Sequence, residues 1–378
     1  AFATADIKMG VILGFTGPIE SLTPDMGGSA EVAFKEASDS GLLLGGQKIV
    51  SVRADSTCID NAAATAAAER LVTAEKVAGI MGADCSGVTT AVANNVAVPN
   101  GVPMISPSAT SPALTTIADN GYFFRTAPSD ARQGQVLASI TVERGITSVA
   151  VTYVNSDYGK GLSDSFGKAF QALGGTVTIS VPHETGKADY SAEVASMDSA
   201  GGDAMAVFGY VNQGGPGIMQ ASLDSGSFDK FILADGMYGD DLLTNVEGDL
   251  TGTFGTVPGT DSKGAATYAD MANAAGLKGS GPFTGESYDA AALLILAMQS
   301  AGSTDGAAIA SNVMGVANAP GEKIMPGELA KGLRILANGG AVDYVGATNV
   351  ELTGVGEASG SYREFEIRNK AFQTVRFR

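Results

Sequence analysis

The 378-residue chain has no tryptophan, a single histidine and only two cysteines. It is short of charge as well, with 17% Asp, Glu, Lys and Arg, and shortest of bases: 23 Lys and Arg against 40 Asp and Glu. Each shortage removes a class of function. One histidine, His183, excludes sites built on several imidazoles, and two cysteines joined to each other would leave no thiolate for a metal. A net charge of −17 leaves no clusters of Lys and Arg for phosphate contacts, so no nucleic acid partner is expected. The acids are spread along the chain, as on a solvated, self-repelling surface, with adaptation to salty surroundings as the weaker alternative. The longest apolar run, Ala290–Met298, falls far short of the roughly 20 residues that cross a bilayer. There is no G-x-S-x-G elbow and no Walker phosphate loop. Gly354-Val355-Gly356 lacks the strand-then-helix setting of a dinucleotide site, and nothing places a nucleophile near His183, beside Pro182 at a strand end. The residues describe no enzyme: no catalytic group, no cofactor and no metal.

What is present is alternation. Strand-like apolar runs and helical patterns follow one another from Ile7–Leu13 to Lys230–Ala234, the signature of parallel α/β architecture. Two such series predict an α/β fold of two doubly wound, Rossmann-like lobes. The stretch 262–337 reads as mainly helical, with 286–301 its strongest segment, and Ser361–Arg378 alternates like a hairpin turning at Asn369-Lys370. Residues 1–126 and 257–339 are therefore expected in the first lobe, and 127–256 and 340–378 in the second. Three hinge crossings would lie near Arg125–Pro128, Gly255–Pro258 and Gly339–Asp343.

Two apolar runs, Val77–Met81 and Val102–Ile105, end in clusters of hydroxyl residues. The clusters are Asp84-Cys85-Ser86-Gly87-Val88-Thr89 and Ser106-Pro107-Ser108-Ala109-Thr110-Ser111-Pro112. Ser and Thr are good N-caps and Pro112 suits a first helical position, so each cluster is expected to open a helix. Helix starts present unpaired N–H groups and partial positive charge, which favour an anion such as a carboxylate. In one parallel sheet both clusters reach the edge at the carboxyl ends of the strands, where open α/β sheets bind ligands.

Cys58 and Cys85 each follow a presumed neighbouring strand at the same end. A bridge between them would close a loop of about 27 residues and point to an oxidising compartment, whereas two separate buried thiols are the plainer alternative. The opening Ala1-Phe2-Ala3 matches the small-residue pattern left at a signal-peptidase site, so a secreted chain with its signal peptide removed is expected.

Several segments together resemble the leucine/isoleucine/valine-binding proteins of bacterial ABC importers, the type I periplasmic binding proteins. They are Ile7–Pro18, Gly82–Thr89 around Cys85, Gly101–Leu114 (GVPMISPSATSPAL), Phe124–Thr126, Asp157–Gly161 (DYGKG), Phe208–Tyr210, Ala234–Gly236 and Ser287–Ala290. Their order is the family's order, over nearly the whole chain. The resemblance implies two lobes joined by three crossovers that close on an amino acid, in the periplasm, with an inner-membrane ABC permease as partner and a monomeric state. It implies a carboxylate held by Ser86, Ser108, Ala109 and Thr110, and an aromatic wall of Tyr158 and Tyr210. Asp235 would meet the α-ammonium, and Tyr288 would touch the cleft. Each has a plainer role as alternative: helix caps for Ser86 and Thr110, packed aromatics for the tyrosines, turn chemistry for Asp235 before Gly236. The family carries Glu where this chain has the shorter Asp235. The loop Gly17–Gly27 lacks the family's Tyr, leaving Leu22 or Ser21 to border the side-chain pocket. Binders of aromatic acids, amides or urea, or a sensory ligand-binding domain, remain the alternative functions.

Overall fold

The structure, a computed structural model, describes residues 5–378, so the Ala1-Phe2-Ala3 pattern lies outside the described residues. The first apolar series supplies β1 (Ile7–Leu13), β2 (Ile49–Asp55), β3 (Ile80–Gly82), β4 (Met104–Ser106) and β5 (Phe123–Pro128). They pair in parallel in the spatial order β2-β1-β3-β4-β5. The second series supplies β6 (Ser148–Val154), β7 (Thr176–His183), β8 (Ala204–Phe208), β9 (Phe231–Leu233) and β10 (Phe254–Pro258). It repeats the same order, β7-β6-β8-β9-β10, again in parallel. The molecule thus has two doubly wound lobes of like topology.

The last part of the chain serves both lobes. β11 (Glu322–Ile324) pairs with β12 (Val342–Tyr344), and β13 (Glu357–Ala358) extends the first sheet with Glu357 opposite Arg125. The hairpin β14 (Tyr362–Arg368) and β15 (Ala371–Phe377) then runs antiparallel beside β10, turning at Asn369 and Lys370, both at positive φ. This corrects the expected third crossing. The chain does not leave the first lobe at Gly339–Asp343 but stays with it through β12 and β13, and passes over at 359–361. Gly339, with φ 75°, closes the end of the helix Leu329–Ala337 instead. A helix stop and a hinge use the same residues, so composition alone does not separate them.

One helix anchors the core of each lobe. In the first, Thr284–Ala301 is buried from Glu286 through Gln299, as expected of a helix that is apolar all round, and it packs on the helix Thr23–Ser40. In the second, Phe166 and Phe170 of the helix Asp157–Ala172 stack on one another and meet Phe208 of β8 edge-on. The first hydroxyl cluster opens the helix Ser86–Val92, whereas the second opens only a 3₁₀ turn, Pro112–Thr116. The β-branched run Thr115-Thr116-Ile117 resists extension of that turn, and Ile117 is already extended.

Cys58 and Cys85 are joined, with Cα atoms 5.1 Å apart across 27 residues. The bond ties the loop after β2 to the start of the helix after β3. Replacing both cysteines by serine is expected to lower unfolding free energy by roughly 3–4 kcal/mol in urea titration. A loss below about 1 kcal/mol would show that the loop is held by its other contacts.

Candidate functional site

In the order shared by both sheets, the connections leave the first and third strands of each series in opposite directions, which opens a crevice at their carboxyl ends. Residues from both crevices meet in one small cavity. Leu22, Asp84, Cys85, Ser86 and Ser108 line it from the first lobe; Tyr158, Tyr210, Asp235 and Gly236 line it from the second. Ile19, Met26 and Phe283 complete an apolar end.

The first-lobe wall is a set of donors held from behind. Ser86 begins its helix, so its own N–H and that of Gly87 have no partner within the helix. The Ser86 hydroxyl accepts from the backbone N–H of Thr110 (3.2 Å) and of Ser111 (3.0 Å), which fixes the second hydroxyl loop against the first. The Ser108 hydroxyl donates to the Asp84 carbonyl at 3.2 Å. Asp84 in turn accepts from the Gly14 N–H and, at 2.8 Å, from the Ser56 hydroxyl, so it joins the ends of three strands. Behind the loop lies Arg125, which the sequence reading passed over. Its Nη1 donates to the carbonyls of Ala109 (3.0 Å) and Ser111 (2.8 Å), and its Nη2 meets Glu357 at 2.6 Å. A buried guanidinium with all these acceptors holds the loop rigid.

The second-lobe wall is aromatic and acidic. Tyr158 and Tyr210 stack with centroids 5.4 Å apart. The Tyr158 hydroxyl accepts from the Gly236 N–H at 3.3 Å and donates to Asp235 Oδ1 at 3.4 Å. A Cβ at Gly236 would stand 3.1 Å from that hydroxyl, so glycine there permits the contact. Asp235 is 3% exposed, and burial pushes its carboxyl above the usual range. Beside it is Asp130, also fully buried, at the start of the helix Asp130–Glu143 just after the first hinge passage. Its Oδ2 accepts from the Thr110 hydroxyl at 2.9 Å, while Oδ1 has no partner. Burial first, and then repulsion from Asp235, hold its proton on. Among the described residues no Lys, Arg or His lines the cavity. With the buried carboxyls of Asp84 and Asp235 on its walls, Asp130 close beside Asp235 and no base, the cavity is a place for positive charge.

Of the residues expected here, Leu22, Ser86, Ser108, Tyr158, Tyr210 and Asp235 line the cavity together. Thr110 stands one layer behind, bonded to Ser86 and to Asp130. Ala109 turns away, its N–H donating to the Ser106 hydroxyl and its carbonyl accepting from Arg125. Tyr288 is not in the cleft. It is buried inside the first lobe, where its hydroxyl donates to Glu36 at 2.6 Å and accepts from the Gly327 N–H at 3.2 Å. The helix begins at Thr284, so both Tyr288 and Asp289 fall inside it; Asp289 accepts from Tyr344, Ala347 and Thr348 rather than serving the helix dipole. Asp130 and Phe283 were legible only weakly. Ser129-Asp130 reads as a helix start, and nothing in sequence says that its carboxyl turns inward.

A family model described as periplasmic binding protein matches residues 6–329. The chain belongs to that family. Within it, the chain is a type I periplasmic binding protein of the branched-chain amino-acid group, whose members are substrate-binding proteins and not enzymes. It is 30% identical over 308 residues to a Leu/Ile/Val-binding protein homolog 1 of Brucella abortus, covering 80% of this chain and 81% of that protein. It is 26% identical over 377 residues to the chemotactic signal transduction system substrate-binding protein BasB of Halobacterium salinarum, covering 97% and 88%. Among solved structures, its fold is similar to LivJ of Streptococcus pneumoniae in complex with isoleucine (TM-score 0.76, 22% identity, 99% of each chain). It is also similar to a solute-binding protein of R. palustris in complex with 4-hydroxybenzoate (TM-score 0.77, 19% identity, 99% and 97%).

In this binding protein the lobes touch on both flanks of the cleft. Asn212 accepts at Oδ1 from the Ser21 N–H (3.0 Å) and hydroxyl (2.9 Å), and its own N–H donates to the Pro18 carbonyl. Lys278 pairs with Asp240 on the same rim, and Gly161 lies against Pro112, where a Cβ would come within 2.8 Å of the ring. Asn212→Ala removes two of these bonds and is expected to weaken cleft-ligand affinity about tenfold, at about 0.5–1.5 kcal/mol per bond. Unchanged affinity would mean that the rim does not support closure.

His183 belongs to the second lobe's interior. Its Nδ1 meets the Thr152 hydroxyl at 2.9 Å, Nε2 has no partner, and burial pushes its pKa down to about 4. The folded state favours neutral imidazole, so this group's contribution to stability is present above pH ~6.5 and is lost as pH falls through about 4. Proton NMR of the single imidazole is expected to give a midpoint near 4. A midpoint in the ordinary histidine range would contradict a buried neutral ring.

Proposed function

We propose that this protein is the extracytoplasmic receptor of an ABC importer, and that its ligand is an α-amino acid with an apolar, branched-chain-like side chain. The observation that carries this is the pairing of unlike walls in one cavity: the helix start at Ser86 and the Ser108 hydroxyl on one side and, on the other, the buried Asp235 carboxyl with Asp130 close beside it. A zwitterion satisfies both at once. Its carboxylate takes the Ser86 and Gly87 N–H groups, and its ammonium takes Asp235 and, on the Thr110 side, Asp130. Ile19, Leu22, Met26 and Phe283 offer the side chain apolar surface and no polar partner. Such a ligand touches both lobes, so it favours the closed arrangement through differential affinity, and a membrane permease reads closure. The partner is then an inner-membrane ABC permease, the compartment the periplasm, and the working state a monomer. In support, the relatives include Leu/Ile/Val-binding proteins, the family is extracytoplasmic, and no helix among the described residues is long and apolar enough to cross a membrane.

A second reading, an aromatic or other carboxylate without an ammonium, draws support from the 4-hydroxybenzoate complex of a structural neighbour. It leaves both buried carboxyls without a cation. The two readings separate in calorimetry with amino acids and with their deaminated acids. Asp235→Ala is expected to weaken leucine or isoleucine at least tenfold more than 4-methylpentanoate, since charge-assisted bonds contribute about 1.5–3 kcal/mol. Equal losses would remove the ammonium role.

Acidity sets a further test. The ammonium keeps its charge, while the raised carboxyls regain protons as pH falls, so binding and protonation compete. Affinity for the amino acid is expected to fall as pH is lowered from 8 to 5, with proton release on binding. An affinity constant over that range would contradict carboxylate recognition.

A further inference from the structure

The three passages between the lobes converge on a buried carboxyl unrelated to the cleft. Glu286, 5% exposed, lines a narrow gap bounded by Thr126 and Pro128 of the first passage, Pro258 and Gly259 of the second, and Gly360 and Ser361 of the third. It also lines a larger adjoining cavity, partly open to solvent, that shares Phe283 with the cleft. The Glu286 carbonyl accepts from the Thr126 hydroxyl at 2.8 Å, and its carboxyl accepts from its own backbone N–H but forms no ion pair among the described residues. Arg363, on β14 of the other lobe, lines the same cavity. Its Nη1 donates to the Tyr238 hydroxyl at 3.2 Å, its Nε is buried without a partner, and it makes no ion pair among the described residues. Thr260, Ser280 and Tyr268 add polar edges between Ala265, Ala269 and Pro282.

An acid and a base, neither in an ion pair among the described residues, therefore face one cavity from opposite lobes without meeting. Burying the Glu286 carboxyl without a cation is costly, and a direct pair with the half-buried Arg363 would have met that need. The geometry points to a second binding site at the hinge, for a small zwitterion whose cationic end meets Glu286 and whose anionic end meets Arg363. Burial pushes the Glu286 carboxyl up to about 8, and Asp289 adds to this while Arg363 opposes it, so a bound cation would restore the charge that burial removes. Because the cavity walls come from both lobes and from the hinge strands, occupancy biases closure and couples reciprocally to the cleft. The cleft ligand and the hinge ligand are separate claims, since no residue named for one, apart from the partition Phe283, serves the other.

The test uses the full chain with Asp235→Ala, which disables the cleft, and titrates glycine, proline and trimethylglycine while following the backbone amides of Gly279, Gly281 and Gly285 by NMR. Saturable shifts at these amides are expected in this background, weakened at least tenfold by Glu286→Gln and by Arg363→Met. Methylammonium or acetate alone is expected to bind at least tenfold more weakly than the zwitterions. Absence of saturable shifts, shifts indifferent to Glu286→Gln, or equal binding of methylammonium or acetate would each overturn the site. Glu286→Gln keeps the side chain's volume and removes an unpaired acid, so it decides the matter even where Arg363→Met is unstable.

Discussion

The constraint on which the rest depends is a pair of neighbouring buried carboxyls: Asp235, on the wall of a cavity that no base lines, and Asp130 close beside it. Carboxylates are seldom buried alone, because the charged form loses its water and gains nothing in return. Here one is held by a tyrosine hydroxyl and the other by a threonine hydroxyl, neither of which brings positive charge. Such a site is a poor stabiliser of the fold and a strong selector of cations. Around Asp235 stand the other features of the cleft: the Ser86 helix start opposite, the stacked tyrosines beside it, and the apolar end beyond.

The duplicated strand order explains how such a cavity arises. Each sheet opens a crevice where its order reverses, and the three hinge passages turn the two crevices toward each other. The first lobe is stiffened where it counts. Arg125 grips the carbonyls of the hydroxyl loop, Asp84 gathers three strand ends, and the Cys58–Cys85 bond fastens the helix start. The second lobe brings its groups on loops after β8 and β9 and on the helix after β6.

Much of this was legible in the sequence. The alternation of strands and helices gave both sheets, and hydroxyl clusters at strand ends marked one wall of the cavity, although Cys85 rather than Ser86 takes the cap position of the first helix. The terminal hairpin was equally plain from its alternation. What escaped was non-local. Arg125 looks like any hinge-flanking base until Glu357, far along the chain, appears beside it. Asp130 reads as a helix-start acid, and only packing turns it toward Asp235. Tyr288 was drawn to the cleft by its neighbours in sequence, whereas helix phase sends it to Glu36. The third crossing was misplaced because Gly339-Gly340 ends a helix with the same residues that make a hinge.

The most direct measurement is a crystal structure of the protein with the ligand that copurifies with it, identified by mass spectrometry after denaturation. The account requires an amino acid whose nitrogen lies within hydrogen-bond distance of Asp235 and whose carboxylate lies at the Ser86 N–H. A ligand without a cationic nitrogen, or one that turns its carboxylate toward Asp235, would contradict it.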